Sequence, residues 1–276
     1  MAQIEYNLYR VKFIRSFQVS LFESNDPPQA LFLSALKEKP SVELRRDYIW
    51  HIGNMTMLNG AQGYFAIGRT TVTTLAKFDE RSGNFVDEPG ETSPYTHVVF
   101  DASLGVIAVA KKPLLAPTTK GLASALQSLV QSTEVARKNE LDVEIEFIPD
   151  PTGFLEHIKS AYAVKKFSAT FTGPNPFDAD EYFQKPLSVY AGAAKASAGK
   201  ATIAGEDLDR LVVEEVAKST AATANKASAR VQHHRGKRLV TVNLSGDPVK
   251  IVYDEDEHDV KVVVVDMVDK YNRVRH

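Results

Sequence analysis

The stretch from Thr96 to Leu129 limits what this chain can become more than any other. β-Branched residues recur from Thr96 to Phe100 and from Val106 to Ala110, with Asp101, Ser103 and Gly105 between them, which predicts two strands and a tight turn. A basic proline loop follows, from Lys111-Lys112-Pro113 to Thr119. The spacing of Leu122, Leu126, Leu129 and Val130 then predicts a helix from about Lys120 that lies on the hairpin. Thr118 and Thr119 each supply an oxygen for the orphan amides of its first turn. A unit of this kind buries a helix stripe on a sheet, so an α+β fold is expected.

The flanking chain extends that reading. From Ile4 to Phe22, aromatic and β-branched residues interleave with Arg10, Lys12 and Arg15, which predicts a half-buried strand with a basic outer face. Asp26-Pro27-Pro28 opens a short helix that Pro40 stops. Tyr48–Ile52 and Gly63–Arg69 read as strands, with Trp50 as a core anchor and His51 as an ordinary exposed histidine, with a ligand or a base as the alternative. Asp79 to Ser93 has the composition of a loop. Leu141 to Ile148 alternates cleanly and projects Asp142, Glu144 and Glu146 from one face. A helix over Phe154–Tyr162 and a strand over Lys165–Phe171 follow, and Gly173-Pro174-Asn175-Pro176-Phe177-Asp178 stops the strand.

Tyr190 to Lys200 is rich in alanine and glycine and reads as a flexible connection. Glu206 to about Val231 reads as the longest helix, and Arg238–Leu244, Val249–Tyr253 and Val260–Met267 as three closing strands. The expectation is antiparallel or mixed sheets with packed helices in two subdomains. Residues 1–188 hold the central unit, 189–205 form a linker, and 206–276 form the long helix with a three-stranded sheet.

Composition narrows the chemistry. The formal net charge of −2 over 276 residues excludes a uniformly basic polyanion binder, so any basic patch must be local. The absence of cysteine excludes disulfides, thiolate metal sites and cysteine nucleophiles. No apolar run reaches bilayer length, and Met-Ala-Gln-Ile-Glu-Tyr does not read as a signal peptide, so a cytoplasmic protein without membrane insertion is expected. No nucleophile elbow, phosphate loop, dinucleotide fingerprint or zinc spacing occurs, and no cofactor or metal is expected. The acidic run Asp254–Asp259 lacks the spacing of a calcium loop. Asp142, Glu144 and Glu146 with Lys165 or Lys166 form the one cluster a metal-dependent nuclease could use; a solvated sheet face is the ordinary reading of that row.

Three cationic groups are candidates for phosphate contacts. The first is Arg230, His233, His234, Arg235, Lys237 and Arg238, the densest basic run; the second is Lys111, Lys112 and Lys120; the third is Lys165 and Lys166. Solvated surface is the ordinary reading of each.

The succession Tyr48-Ile49-Trp50-His51-Ile52, Gly63-Tyr64-Phe65-Ala66-Ile67, Val98-Val99-Phe100, Leu104-Gly105-Val106-Ile107-Ala108 and Pro117-Thr118-Thr119 resembles the RexA-like phage-exclusion proteins, over residues up to about Phe171. The resemblance implies a cytoplasmic homodimer that binds double-stranded DNA with little sequence preference. It also implies the sensor half of an exclusion system, with another defence protein or a membrane protein as partner, and fold kinship with the recombination-associated DNA binder RdgC. It supplies no catalytic residues. The leading expectation is therefore a non-enzymatic DNA-binding protein of phage defence. A protein-interaction sensor or inhibitor is the alternative, and a metal-dependent nuclease the third.

Overall fold

The computed structural model describes residues 3–15, 26–45, 48–172, 180–255 and 258–276. Its organising strand is β1 (Gln3–Arg15). Tyr9, Val11 and Phe13 are buried on one side of it and Tyr6 and Leu8 on the other, so β1 runs through the interior of a sheet. One edge of β1 pairs with β7 (Val106–Ala110). Along the other edge, residues 3–7 pair with β13 (Lys250–Asp254) and residues 9–15 with β8 (Leu141–Phe147), end to end. Leu8 stitches the junction: its amide donates to Val249 O at 2.9 Å, and its carbonyl accepts from Ile148 N at 3.0 Å.

The sheet continues through β6 (Tyr95–Asp101), β4 (Gln62–Asp79), β3 (Tyr48–Met57) and β2 (Ser41–Arg45), with β5 (Asn84–Thr92) attached to β4, nine strands in all. A second, four-stranded sheet has the order β10 (Ala198–Ala204), β9 (Ala163–Thr172), β11 (Ala227–Gln232), β12 (Val240–Asn243). Every strand pair in both sheets is antiparallel.

Helices α1 (Pro28–Lys37), α2 (Thr119–Gln131) and α3 (Glu134–Lys138) cover one face of the large sheet. Leu122, Leu126 and Leu129 of α2 are fully buried there, and each contributes about 1.5–3 kcal/mol of burial. The other face packs on α7 (Val260–Arg275), which also meets α6 (Arg210–Ala222). α4 (Thr152–Ser160), α5 (Gln184–Ala193) and α6 line one face of the four-stranded sheet. One apolar core thus runs between the two sheets, and the layers are helix, sheet, helix, sheet.

The α+β class, the hairpin over β6 and β7 and the α2 stripe stand as expected. Gly105 closes that turn at φ +64°, a left-handed value that favours glycine. Thr118 caps α2 by accepting from Gly121 N at 3.2 Å. Thr119 does something else: its buried hydroxyl accepts from Asn7 Nδ2 at 2.7 Å and Tyr9 OH at 2.9 Å, fastening the helix to β1.

Other expectations are corrected. The face of β1 that carries Arg10 and Lys12 is interior, because the α6–β11 connection and α7 lie over it. Asp79–Ser93 contains β5; both faces of that ribbon meet solvent, so no apolar alternation marked it. Residues 189–205 hold the second half of α5 and β10, anchored by pairing with β9. The helix expected over 206–231 is shorter: α6 ends at Ala222, Ala224 turns at φ +50°, and β11 begins at Ala227. Val260–Met267 is helical, since Val263, Val264, Met267, Tyr271 and Val274 form one buried stripe. The expected three-stranded closing sheet is not formed either: β11 and β12 join β9 and β10, whereas β13 joins β1. The stop at 173–178 and residues 16–22 of the first expected strand lie outside the described residues.

Candidate nucleic-acid interface

Side-chain alternation on the four-stranded sheet separates an apolar face from a polar one. Phe167, Ala169, Ala227, Ala229 and Val231 point toward α4, α5 and α6 and are buried. The opposite face presents cross-strand rows. One row is Ala204, Lys166, Arg230 and Thr241; the next is Thr202, Ser168, Ser228 and Asn243. Lys200 and Thr170 begin a third. These rows contain no carboxylate and no aromatic ring. Ser168 and Thr202 hydrogen-bond across the strands at 2.7 Å, holding hydroxyls in the plane between the cations.

Lys166 and Arg230 stand directly opposite each other, an arrangement that costs stability when nothing intervenes. Among the described residues neither forms an ion pair or a side-chain hydrogen bond. Lys165 differs: Glu206 answers it at 3.0 Å, so it adds little positive potential.

The basic run continues from this sheet. After Gln232 the chain turns at Gly236 (φ +75°), and Gln232 Nε2 donates to Lys237 O at 2.8 Å, holding the turn against the end of β11. His234, Arg235, Lys237 and Arg238 are exposed, while the half-buried His233 packs edge-on against His157 with ring centroids 5.7 Å apart. Arg230 and Lys166 therefore share the polar face, whereas His233 turns to α4 on the other side and His234, Arg235, Lys237 and Arg238 lie on the turn beyond the strand end. Lys200, whose Gly199-Lys200-Ala201-Thr202 setting lacks the glycine spacing of a phosphate loop, joins that face through its register with Thr170.

Lys111, Lys112 and Lys120 lie elsewhere, on the loop before α2 and on its first turn. Lys111 and Lys112 line a cavity of about 650 Å³ with Tyr95, His97 and His258. His97 is held below the ordinary histidine range by burial first, then by the positive charges of His258 and Lys112.

The β8 carboxylates serve a structural partner. Lys12 Nζ donates to Glu146 Oε2 at 2.9 Å, Ala224 O at 3.2 Å and Asn225 Oδ1 at 3.3 Å, and Glu144 Oε2 lies at 3.8 Å. Among the described residues no group of three histidines, cysteines or carboxylates is placed to hold a metal. Lys165 and Lys166 belong to the other sheet, Glu206 answers Lys165, and among the described residues neither lysine pairs with a β8 carboxylate. Both ring nitrogens of His51 are engaged, Nδ1 with Ser41 at 2.8 Å and Nε2 with Thr70 at 3.0 Å, which suits a structural role.

No helix among the described residues is long and apolar enough to cross a membrane. No protein-family model matches the chain, and a search of curated proteins finds no match.

Proposed function

We propose that the protein is a non-enzymatic binder of double-stranded DNA, holding phosphates on the polar face of the β10-β9-β11-β12 sheet and on the turn after β11. The observation that carries this reading is the unanswered Lys166–Arg230 pair on a face without carboxylates. Phosphate oxygens are the counter-charge that relieves such a pair, and contacts to phosphate carry no sequence information. Neither cross-strand row offers a ring for unpaired bases to stack on, which favours a duplex backbone over a single strand at this face.

The overall charge of −2 is consistent with this because the negative residues gather elsewhere. Residues 71–92 carry five carboxylates against two cations, and Asp180, Glu181, Glu214 and Glu215 line a separate cavity. The phage-exclusion setting and the homodimer rest on the resemblance to RexA-like proteins.

Combined Lys166→Ala and Arg230→Ala substitution tests the reading. Retention of random-sequence duplexes in a gel shift should weaken alike for unrelated sequences, and the log–log salt slope should flatten by about 2. Adding Arg235→Ala, Lys237→Ala and Arg238→Ala should flatten it further. Unchanged retention and slope would refute the assignment.

A protein partner is the second reading. It is favoured by Phe78 and Phe85, which meet at 5.2 Å between ring centroids and are 56% and 80% exposed.

A further inference from the structure

A groove runs beside the loop between β7 and α2, remote in sequence from the phosphate face. Three cavities compose it, of about 410, 650 and 650 Å³. The first two share Tyr48 and Arg69, and the second and third share Ser93, Pro94 and Leu114, so the three lie side by side along one surface.

Its lining alternates cations with flat or apolar surfaces. At one end Arg45 stands near Trp50 and Tyr48, and the Arg69 guanidinium lies 4.4 Å over the Tyr48 ring. The middle wall is Pro94 and Leu114, the latter 73% exposed. At the other end Lys111 and Lys112 face Tyr95, which is half exposed and edge-on to His97.

Among the described residues, none of Arg45, Arg69, Lys111 and Lys112 forms an ion pair, and Glu255 is the one carboxylate lining the groove. Arg69 is partly withdrawn from water; its Nη2 donates to Leu114 O at 3.3 Å, but its buried Nε has no hydrogen-bond partner among those residues. A guanidinium held in place without a counter-charge is poised for an anion.

We propose that this groove binds a nucleoside phosphate, with its base against Tyr95 and its phosphate held by Lys111 and Lys112 in the same cavity. Cations interleaved with rings match that chemistry: rings stack on bases of any identity, and the cations answer phosphate. A free nucleotide and successive nucleotides of an unpaired strand share this chemistry, and the test distinguishes the two sources. The inference does not depend on duplex binding at the four-stranded sheet.

Calorimetry is the primary readout, because the one tryptophan, Trp50, lines the cavity at the other end of the groove. The intact protein is titrated with deoxyadenosine monophosphate, a deoxyadenylate hexamer and tripolyphosphate. Saturable binding of the nucleotide or the hexamer, weakened about tenfold or more by Lys111→Ala with Lys112→Ala and also by Tyr95→Ala, supports the proposal. A hexamer bound at least about tenfold tighter than the monomer identifies an unpaired strand as the source; equal affinity identifies the free nucleotide.

Tripolyphosphate binding as well as either, or indifference to Tyr95→Ala, overturns the nucleoside assignment, and absence of binding by all three overturns the site. Gel shifts of duplex DNA with the same variants separate this outcome from the phosphate face: groove variants should retain the duplex, and the Lys166→Ala, Arg230→Ala variant should retain the nucleotide.

Discussion

Lys12 shows how one residue changes meaning between sequence and structure. On the extended chain it looks like part of a basic outer face; folded, it is 7% exposed and ties β1 to β8 and to the α6–β11 connection. Replacing it by Met removes the charge but strands Ala224 O and the Asn225 amide without their donor. A loss of about 2–4 kcal/mol is expected in denaturant unfolding; a change under 1 kcal/mol would mean that the partly exposed Glu146 carries little of the link. His97 makes a pH prediction. Its folded proton affinity is below the ordinary value of 6.5, chiefly from burial, so the unfolded chain binds the proton more readily. The stability this group supports is full above the unfolded value and falls as pH drops through 6.5 toward the folded value. His97→Gln should flatten that decline relative to the parent protein, and parallel profiles from pH 8 to 5 would show that His97 is not its source.

At the scale of elements, the ribbon of β4 and β5 and the helix α7 behave in opposite ways. From Thr71 to Asp79 β4 pairs with β5, and among the described residues β5 has no other strand partner. Nine pairs span about 30 Å at the usual rise, and such a two-stranded ribbon is marginal by itself. Replacing residues 73–90 by a short turn should therefore shift the melting temperature by no more than about 4 °C. Amides of the ribbon should exchange far faster than those of β1 and β7. A cooperative loss of the whole fold on that deletion would contradict this. By contrast α7 inserts Val263, Val264, Met267 and Tyr271 between the sheets, all at 1% exposure or less. Met267→Ala should cost about 2–5 kcal/mol, and the Tyr271 hydroxyl, which accepts from Arg10 Nη1 at 3.0 Å, ties the same helix to β1.

At the scale of the molecule, one core joins β1, β6 and β7 to α4, α6, α7 and the four-stranded sheet. No layer can leave without exposing the next. Unfolding should therefore be a single transition, with calorimetric and van't Hoff enthalpies that agree; two resolved transitions would show that the sheets are energetically separate. The charge map is also a property of the whole. Residues that nearly cancel in the sum are sorted in space, carboxylates on the ribbon and around α6, cations on the outer sheet face and along the groove. Net charge averages over that sorting, whereas a ligand within a Debye length responds to the local field.

Local patterning determined much of the fold. Turn residues between β-branched runs specified β6 and β7, the period of Leu122, Leu126 and Leu129 specified α2, and alternation specified β8. Those signals are readable because spacing alone decides which side chains share a face. Only tertiary structure decided that β1 is interior, that the valine run after Val260 is helical, and that the polar segment Asn84–Thr92 is a strand. In each case the deciding partner is far away in the chain. The candidate sites divide in the same way: the basic run at 230–238 is contiguous and legible, whereas Lys166 opposite Arg230, and Arg69 over Tyr48, exist only once strand registers bring them together.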